Sequence, residues 1–307
     1  MNKILITPKS FVTVQSMLSE LIDSDKYEIV LNTTGKTFTE DTMMSLCEDI
    51  DGLIVGIDPV TATVIEHAKK LKVISKYGAG LDNIDLPVAA KHGIKVEKAD
   101  GANSVSVAEL AISLVFALSR HLPQNISQVK EGKWDRIQGN ELSCKTIGII
   151  GLGCIGQEVA RMAKGIGMSV VAHDPYCRNT DFLMKNSIQL LELEKLLKVS
   201  DFVSLHVPLT RETNGMIKST YFNLMKKTAC LINTSRGELV NEEDLYCALT
   251  ENRIAGAAQD VFSKEPPGAH RLLKLENFLL TPHIGSFTEE AISRTVTRSI
   301  RNLLKHI

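Results

Sequence analysis

One stretch constrains this chain more than any other. The strand-like run Thr146-Ile147-Gly148-Ile149-Ile150 leads into Gly151-Leu152-Gly153-Cys154-Ile155-Gly156, and a helix-like segment, Gln157–Lys164, follows. A second apolar run, Met168-Ser169-Val170-Val171-Ala172-His173, ends on Asp174, about twenty residues beyond the first glycine. Strand, glycine turn, helix, strand and acid in this order form a dinucleotide-binding fingerprint. Gly151 permits the tight turn, Gly153 lets backbone approach a pyrophosphate, and Gly156 lets helix and strand pack closely. The helix start offers unpaired N–H groups and partial positive charge to an anion. Asp174 accepts from the adenosine ribose hydroxyls and repels a 2′-phosphate, which predicts NAD over NADP.

The rest of the chain alternates short apolar strands with helical stretches. The first series is Lys3–Thr7, Tyr27–Leu31, Gly52–Gly56, Lys72–Lys76 and Ile94–Glu97. The second is Thr146–Ile150, Ser169–His173, Phe202–Val207, Ala229–Asn233, Ala255–Gln259 and Phe278–Leu280. This alternation predicts an α/β protein with two doubly wound, parallel-sheet (Rossmann-like) domains and a cleft between them. Ser104–His121 reads as a long apolar helix between the series, with Ser106 and Glu109 as its capping box. Pro123–Cys144, which holds Trp134, reads as a polar loop, and Thr288–His306 as an amphipathic helix.

Charge excludes some partners. Thirty-five basic residues against 36 acidic leave a net −1, without the basic tract that nucleic acid would call for. The six cysteines form no C-x-x-C pair, so free thiols in a reducing compartment are expected, and no metal site. The N-terminus lacks a signal-peptide core, and no apolar run reaches membrane-spanning length. A cytoplasmic protein with no membrane partner is the expectation.

Three polar residues lie just past strand ends of the second series: Arg236, Glu265 and His283. Together they supply what hydride exchange with a 2-oxo acid requires. An arginine fork grips a carboxylate, a histidine exchanges the proton with the carbonyl or hydroxyl oxygen, and a carboxylate orients the ring and raises its pKa.

The ordered motifs resemble the D-isomer-specific 2-hydroxyacid dehydrogenases over nearly the whole chain. They are Lys76-Tyr77-Gly78-Ala79-Gly80-Leu81-Asp82-Asn83-Ile84-Asp85, Asn103 through Glu109-Leu110, Gly151–Gly156, His206-Val207-Pro208-Leu209-Thr210, Asn233-Thr234-Ser235-Arg236-Gly237, Asp260-Val261-Phe262 with Glu265-Pro266, and Thr281-Pro282-His283-Ile284-Gly285. The resemblance implies a catalytic Arg236, Glu265 and His283. It places cofactor contacts at Gly151, Gly153, Cys154, Ile155, Gly156, Asp174, Val207, Pro208, Thr234, Ser235, Asp260 and Ser286, with Asp260 toward the nicotinamide carboxamide. Substrate contacts fall on Lys76, Ala79 and Gly80. It further implies a discontinuous substrate-binding domain, residues 1–99 plus 285–307, an NAD-binding domain at 100–284, and a homodimer formed through Ser104–His121.

Within the family the chain is most similar to short phosphoglycerate dehydrogenase-like members. It departs from them at Gly56, where phosphate-binding members carry arginine, and at Lys76, a cation that cannot grip a phosphate in two places. A small 2-hydroxy or 2-oxo acid of the glyoxylate, hydroxypyruvate or 3-phosphoglycerate type is the expected substrate. The alternative is an NAD(H)-sensing interaction protein resembling the C-terminal binding protein corepressors. A formate dehydrogenase reading is weaker, because that branch carries an amide at the position of Glu265.

Overall fold

The computed structural model describes residues Met1–Ile307, the side chain of Ser16 excepted. The chain forms two compact units, Met1–Asn103 with Phe287–Ile307, and Ser104–Ser286.

The first unit holds a five-stranded parallel sheet: β1 (Asn2–Ile6), β2 (Tyr27–Leu31), β3 (Gly52–Val55), β4 (Val73–Lys76) and β5 (Lys95–Lys98), in the order β2-β1-β3-β4-β5. Strands β3 and β4 are buried along their whole length; β3 is wholly apolar, whereas β4 takes Ser75 and Lys76 inside, where their polar groups are hydrogen-bonded. The C-terminal helix Glu289–Leu304 is capped by Thr288 Oγ1 accepting from Ala291 N. It buries Ala291, Thr295, Val296, Ser299, Ile300 and Leu303, one stripe at helical spacing, against this sheet. Ser75 Oγ donates to Ser299 O at 2.8 Å. Gly52 lies against that helix: a Cβ there would lie 2.8 Å from Ile307 Cδ1, so the end of that side chain would have to shift.

The second unit holds a seven-stranded parallel sheet: β6 (Thr146–Ile150), β7 (Ser169–His173), β8 (Gln189–Leu190), β9 (Phe202–Leu205), β10 (Cys230–Asn233), β11 (Gly256–Gln259) and β12 (Phe278–Leu280). Its order is β12-β11-β10-β9-β6-β7-β8. Chain order reverses at β6, which pairs with β7 on one side and β9 on the other. The carboxyl end of that strand is where an open α/β sheet binds its ligand. Two apolar clusters cover the two faces of this sheet. One gathers Ala108, Ala111 and Val115 with Val159, Ala160 and Ala163; the other gathers Leu197, Val203 and Phe222 with Leu231, Leu245 and Leu249.

Three expectations are corrected. The helix expected over Ser104–His121 spans Ser104–Ser119 and starts two residues before Ser106, so Ser106 cannot cap it. Ser106 Oγ instead donates to Gly285 O at 2.7 Å. The segment read as a loop from Pro123 holds a helix, Leu122–Lys130, with proline at its first turn, a position where the missing N–H costs nothing. The two-residue strand β8 at the sheet edge lies outside the strands expected; it is only two residues long, too short for a strand pattern to mark it.

Among the described residues no single helix is long and apolar enough to cross a membrane, and no cluster of three or more His, Cys, Asp or Glu could hold a metal. All six cysteines are free thiols, with burial pushing Cys47 and Cys230 up to about 12.

Candidate active site

The glycine turn meets its steric requirements. Gly151 has φ 92°, and a Cβ there would lie 2.6 Å from His206 O. A Cβ on Gly156 would lie 2.0 Å from Gly151 O. Gly153 is different: nothing lies within 4 Å of its Cβ position, so its backbone faces open space. Gly153 also precedes the helix Cys154–Gly165 as its N-cap, with no side chain satisfying the first N–H groups. Cys154 is exposed at the first helical position, and Ile155 and Gly156 follow it.

Asp174 is fastened to this turn. Its Oδ2 accepts from Leu152 N at 2.8 Å and its Oδ1 from Tyr176 N at 2.8 Å. Each oxygen keeps a lone pair for a further donor. Across the reversal point, Ser235 Oγ donates to Val207 O at 2.6 Å, which ties the end of β10 to the segment after β9. Thr234 Oγ1 is buried and has no hydrogen-bond partner among the described residues. These features fit a dinucleotide: an open backbone approach at a helix start, a carboxylate with spare acceptors, and an unsatisfied hydroxyl nearby in the same unit.

The polar trio stands on the next strands of the sheet. Arg236 follows β10 in a turn built by Asn233, whose Nδ2 donates to Arg236 O at 2.8 Å and whose Oδ1 accepts from Ser235 N at 3.1 Å. Arg236 Nη1 donates to Ser235 O at 2.8 Å. Gly237 permits that turn to pass the loop after β11, since its Cβ would lie 2.0 Å from Phe262 C.

Glu265 and His283 are a direct pair. His283 Nδ1 lies 2.7 Å from Glu265 Oε2, and Glu265 Oε1 accepts from Phe262 N at 3.0 Å. The hydrogen bond to Glu265 is the main influence raising the His283 pKa above its ordinary value. Burial opposes this, the charges of Glu265 and Asp260 reinforce it, and Arg236 works against it. For Glu265 burial pushes upward, yet the bonds from His283 and Phe262 N–H, aided by the charges of His283 and Arg236, hold it below the usual carboxylate value. With Nδ1 against the carboxylate, Nε2 is the ring nitrogen left to exchange a proton.

Asp260 sets the His283 loop. It is 1 % exposed; Oδ1 accepts from Thr281 Oγ1 at 2.5 Å and Ile284 N at 2.8 Å, and Oδ2 from Gly285 N at 2.8 Å. His283 N donates to Asp260 O at 2.9 Å, and the residue is held at φ 54°, a left-handed conformation that costs about 1–3 kcal/mol and persists because the surrounding hydrogen bonds impose it. The Asp260 carboxylate is thus engaged by three donors of the loop that presents the histidine. Ser286 and Pro208 are exposed, and Val207 is half-buried.

In the first unit, Lys76 ends β4 and is 6 % exposed. Its Nζ lies 2.5 Å from both Gly56 O and Asn83 Oδ1, and Asn83 Nδ2 donates to Gly56 O at 3.1 Å. Asp58 is 3 % exposed and turned inward, accepting from Thr7 Oγ1 and from Phe38 N. Ala79 and Gly80 follow Gly78, whose φ is 118°, in a half-buried turn after β4.

His206 was missed in the sequence. It directly follows β9, the strand neighbouring β6; its Nε2 meets Ser204 Oγ at 2.8 Å, and its Nδ1 is buried without a partner among the described residues. Burial lowers its pKa to about 3, so it stays neutral. Its position in His206-Val207-Pro208 was the available signal.

A fingerprinted parallel sheet carrying an Arg, Glu and His at successive strand ends defines the class: a dinucleotide-dependent dehydrogenase. The comparisons narrow it. The model for "D-isomer specific 2-hydroxyacid dehydrogenase, NAD binding domain" matches residues 112–285. Hydroxypyruvate reductase of Thermotoga maritima is 38 % identical, covering 94 % of this chain and 97 % of its own length. D-3-phosphoglycerate dehydrogenase of Methanocaldococcus jannaschii is 44 % identical over 82 % of this chain, which spans only 49 % of that enzyme. A crystal structure of a glyoxylate reductase from Paecilomyes thermophila matches with TM-score 0.90 and 26 % identity, covering 99 % of this chain and 95 % of the other. The chain belongs to the D-isomer-specific 2-hydroxyacid dehydrogenase family, and its cofactor is NAD. These relatives support an NAD-dependent dehydrogenase over an NAD(H)-sensing interaction protein.

Proposed function

We propose that the protein reduces a small, unphosphorylated 2-oxo acid such as glyoxylate or hydroxypyruvate to the D-2-hydroxy acid, using NADH. The observation that carries the chemistry is the pair His283 Nδ1 to Glu265 Oε2 at 2.7 Å. In this reading Glu265 stabilises the imidazolium, and His283 Nε2 gives the proton to the substrate oxygen during reduction and takes it back during oxidation. Arg236 binds the substrate carboxylate through its guanidinium fork. NAD(H), when bound, supplies or accepts the hydride. Gly151, Gly153, Cys154, Ile155 and Gly156 accommodate its pyrophosphate and Asp174 its ribose. Val207, Pro208, Thr234, Ser235, Asp260 and Ser286 lie toward its nicotinamide half.

Substrate size rests on the first unit. Gly56 offers no charge, Asp58 is consumed by Thr7 and Phe38, and the Lys76 ammonium is committed to Gly56 O and Asn83. A phosphate dianion would therefore have to draw Lys76 out of a buried network. The losing of a charge-assisted contact weakens binding by about 1.5–3 kcal/mol. The test is kcat/KM for glyoxylate, hydroxypyruvate, pyruvate and 3-phosphohydroxypyruvate with NADH. A preference of a hundredfold or more for the phosphorylated acid would contradict the assignment.

We also propose a cytoplasmic homodimer, with the second unit serving as the NAD-binding domain. Support comes from free thiols and from apolar side chains left exposed on Ser104–Ser119 and the segment after it, notably Phe116, Ile126, Val129 and Trp134. Light scattering on the purified protein tests it, and a monomer at micromolar concentration would contradict it.

A further inference from the structure

The loop that carries Glu265 is fastened at two points to one carboxylate on a neighbouring helix. Glu242 opens the helix Glu242–Thr250. Its Oε1 accepts from Ser263 N at 2.9 Å, and its Oε2 lies 3.3 Å from His270 Nε2. Ser263 and His270 bracket Glu265. Ser263 also follows Phe262, whose N–H holds the other oxygen of Glu265 at 3.0 Å. The side chains are largely shielded, 14 % exposed for Glu242 and 25 % for His270.

The state of His270 follows from its second contact. Its Nδ1 accepts from Leu272 N at 3.3 Å and so caps the short helix Arg271–Lys274. An accepting Nδ1 leaves the proton on Nε2, which then donates to Glu242. The ring also packs edge-on against Phe262, with centroids 6.1 Å apart. Next in sequence, Arg271 pairs with Glu243 and lies 3.9 Å above the ring of Tyr246, so the far end of the loop returns to the same helix.

We infer that Glu242, acting with His270, is a positioning residue for the Glu265–His283 pair: it holds both ends of the loop so that the Glu265 carboxylate stays on His283 Nδ1. This rests on the catalytic reading of that pair given above. Glu242 touches neither His283 nor Arg236 among the contacts described, so its influence passes through Ser263, Phe262 and the loop backbone.

The experiment compares Glu242→Ala, His270→Gln and His270→Asn with the unmutated enzyme in the reductive pH–rate profile, with KM for NADH and Tm measured alongside. Glutamine keeps an N–H donor at the length of Nε2; asparagine can place its amide oxygen at the length of Nδ1, keeping the cap, but its N–H groups fall short of the Nε2 position. Expected are a kcat lowered roughly tenfold in Glu242→Ala, an unchanged KM for NADH, and a midpoint moved to lower pH in Glu242→Ala and His270→Asn but not in His270→Gln. A lowered Tm with an unmoved midpoint in Glu242→Ala would make the contact purely structural and overturn the inference. So would a shift in His270→Gln that His270→Asn lacks, because the cap alone would then matter. The catalytic reading fails separately, if His283→Ala retains turnover.

Discussion

Asp174 offers a test in which structure sets both direction and size. Its two oxygens accept from Leu152 N and Tyr176 N, each at 2.8 Å, and each keeps a lone pair for the ribose proposed to bind there. Asp174→Ala removes a charged acceptor from the ribose hydroxyls, a loss of about 1.5–3 kcal/mol for one such bond, or roughly ten- to a hundredfold in affinity. It also removes the negative charge that a 2′-phosphate would meet. KM for NADH should therefore rise by about ten- to a hundredfold while kcat/KM for NADPH rises, so that the NADH/NADPH preference falls by more than either change alone. Because the same substitution strips a bond from the glycine turn, Asp174→Asn is the control: its amide oxygen still accepts from Leu152 N–H, but the repulsive charge is gone. Initial rates with both cofactors at a saturating 2-oxo acid decide the matter. If the ratio of kcat/KM values is the same in Asp174→Ala as in the unmutated enzyme, the discrimination does not come from this carboxylate. Arg178, exposed four residues on, would then be the group to remove.

Other expectations follow from the same geometry. Glu265→Gln removes the partner that raises the His283 pKa. If protonated His283 is the acid in reduction, as proposed, a raised pKa extends reductive activity to higher pH, and the variant should lose activity at a lower pH than the parent; an unmoved midpoint would uncouple the two residues. Gly56→Arg should raise kcat/KM for 3-phosphohydroxypyruvate by roughly ten- to a hundredfold. The nearest atom to a Cβ there, Pro8 Cγ, is 3.5 Å away, so the backbone admits the side chain; an unchanged specificity would show that charge at this position does not select the substrate. Gly237→Ala places a methyl 2.0 Å from Phe262 C and should destabilise the protein by about 1–3 kcal/mol, visible as a lower Tm.

What could be read from the sequence was local. Gly151–Gly156 and Asp174 carry their meaning in spacing along one strand–turn–helix–strand unit, and the structure brings them together through Leu152 N. Arg236, Glu265 and His283 are each recognisable as polar residues just beyond an apolar strand, and the parallel order β10-β11-β12 makes those strand ends neighbours. What escaped were bonds between distant segments. Ser263 N to Glu242 joins residues 21 positions apart, and no periodicity in either segment announces it. Ser106 shows the converse error: its spacing to Glu109 fits a cap, but tertiary contact with Gly285 O fixes its role instead. The Lys76 network was also invisible, because whether a lysine faces a ligand or a carbonyl depends on where the Gly56 backbone passes.

The most direct test is NADH oxidation against 2-oxo acids, run in parallel with the unmutated protein and His283→Ala, with NADH binding followed by fluorescence in both. The account predicts turnover of glyoxylate or hydroxypyruvate by the unmutated protein. It also predicts a loss of about 10²–10⁴-fold in His283→Ala, with NADH affinity preserved. NADH binding without turnover of any 2-oxo acid, or a His283→Ala variant as active as its parent, would contradict it.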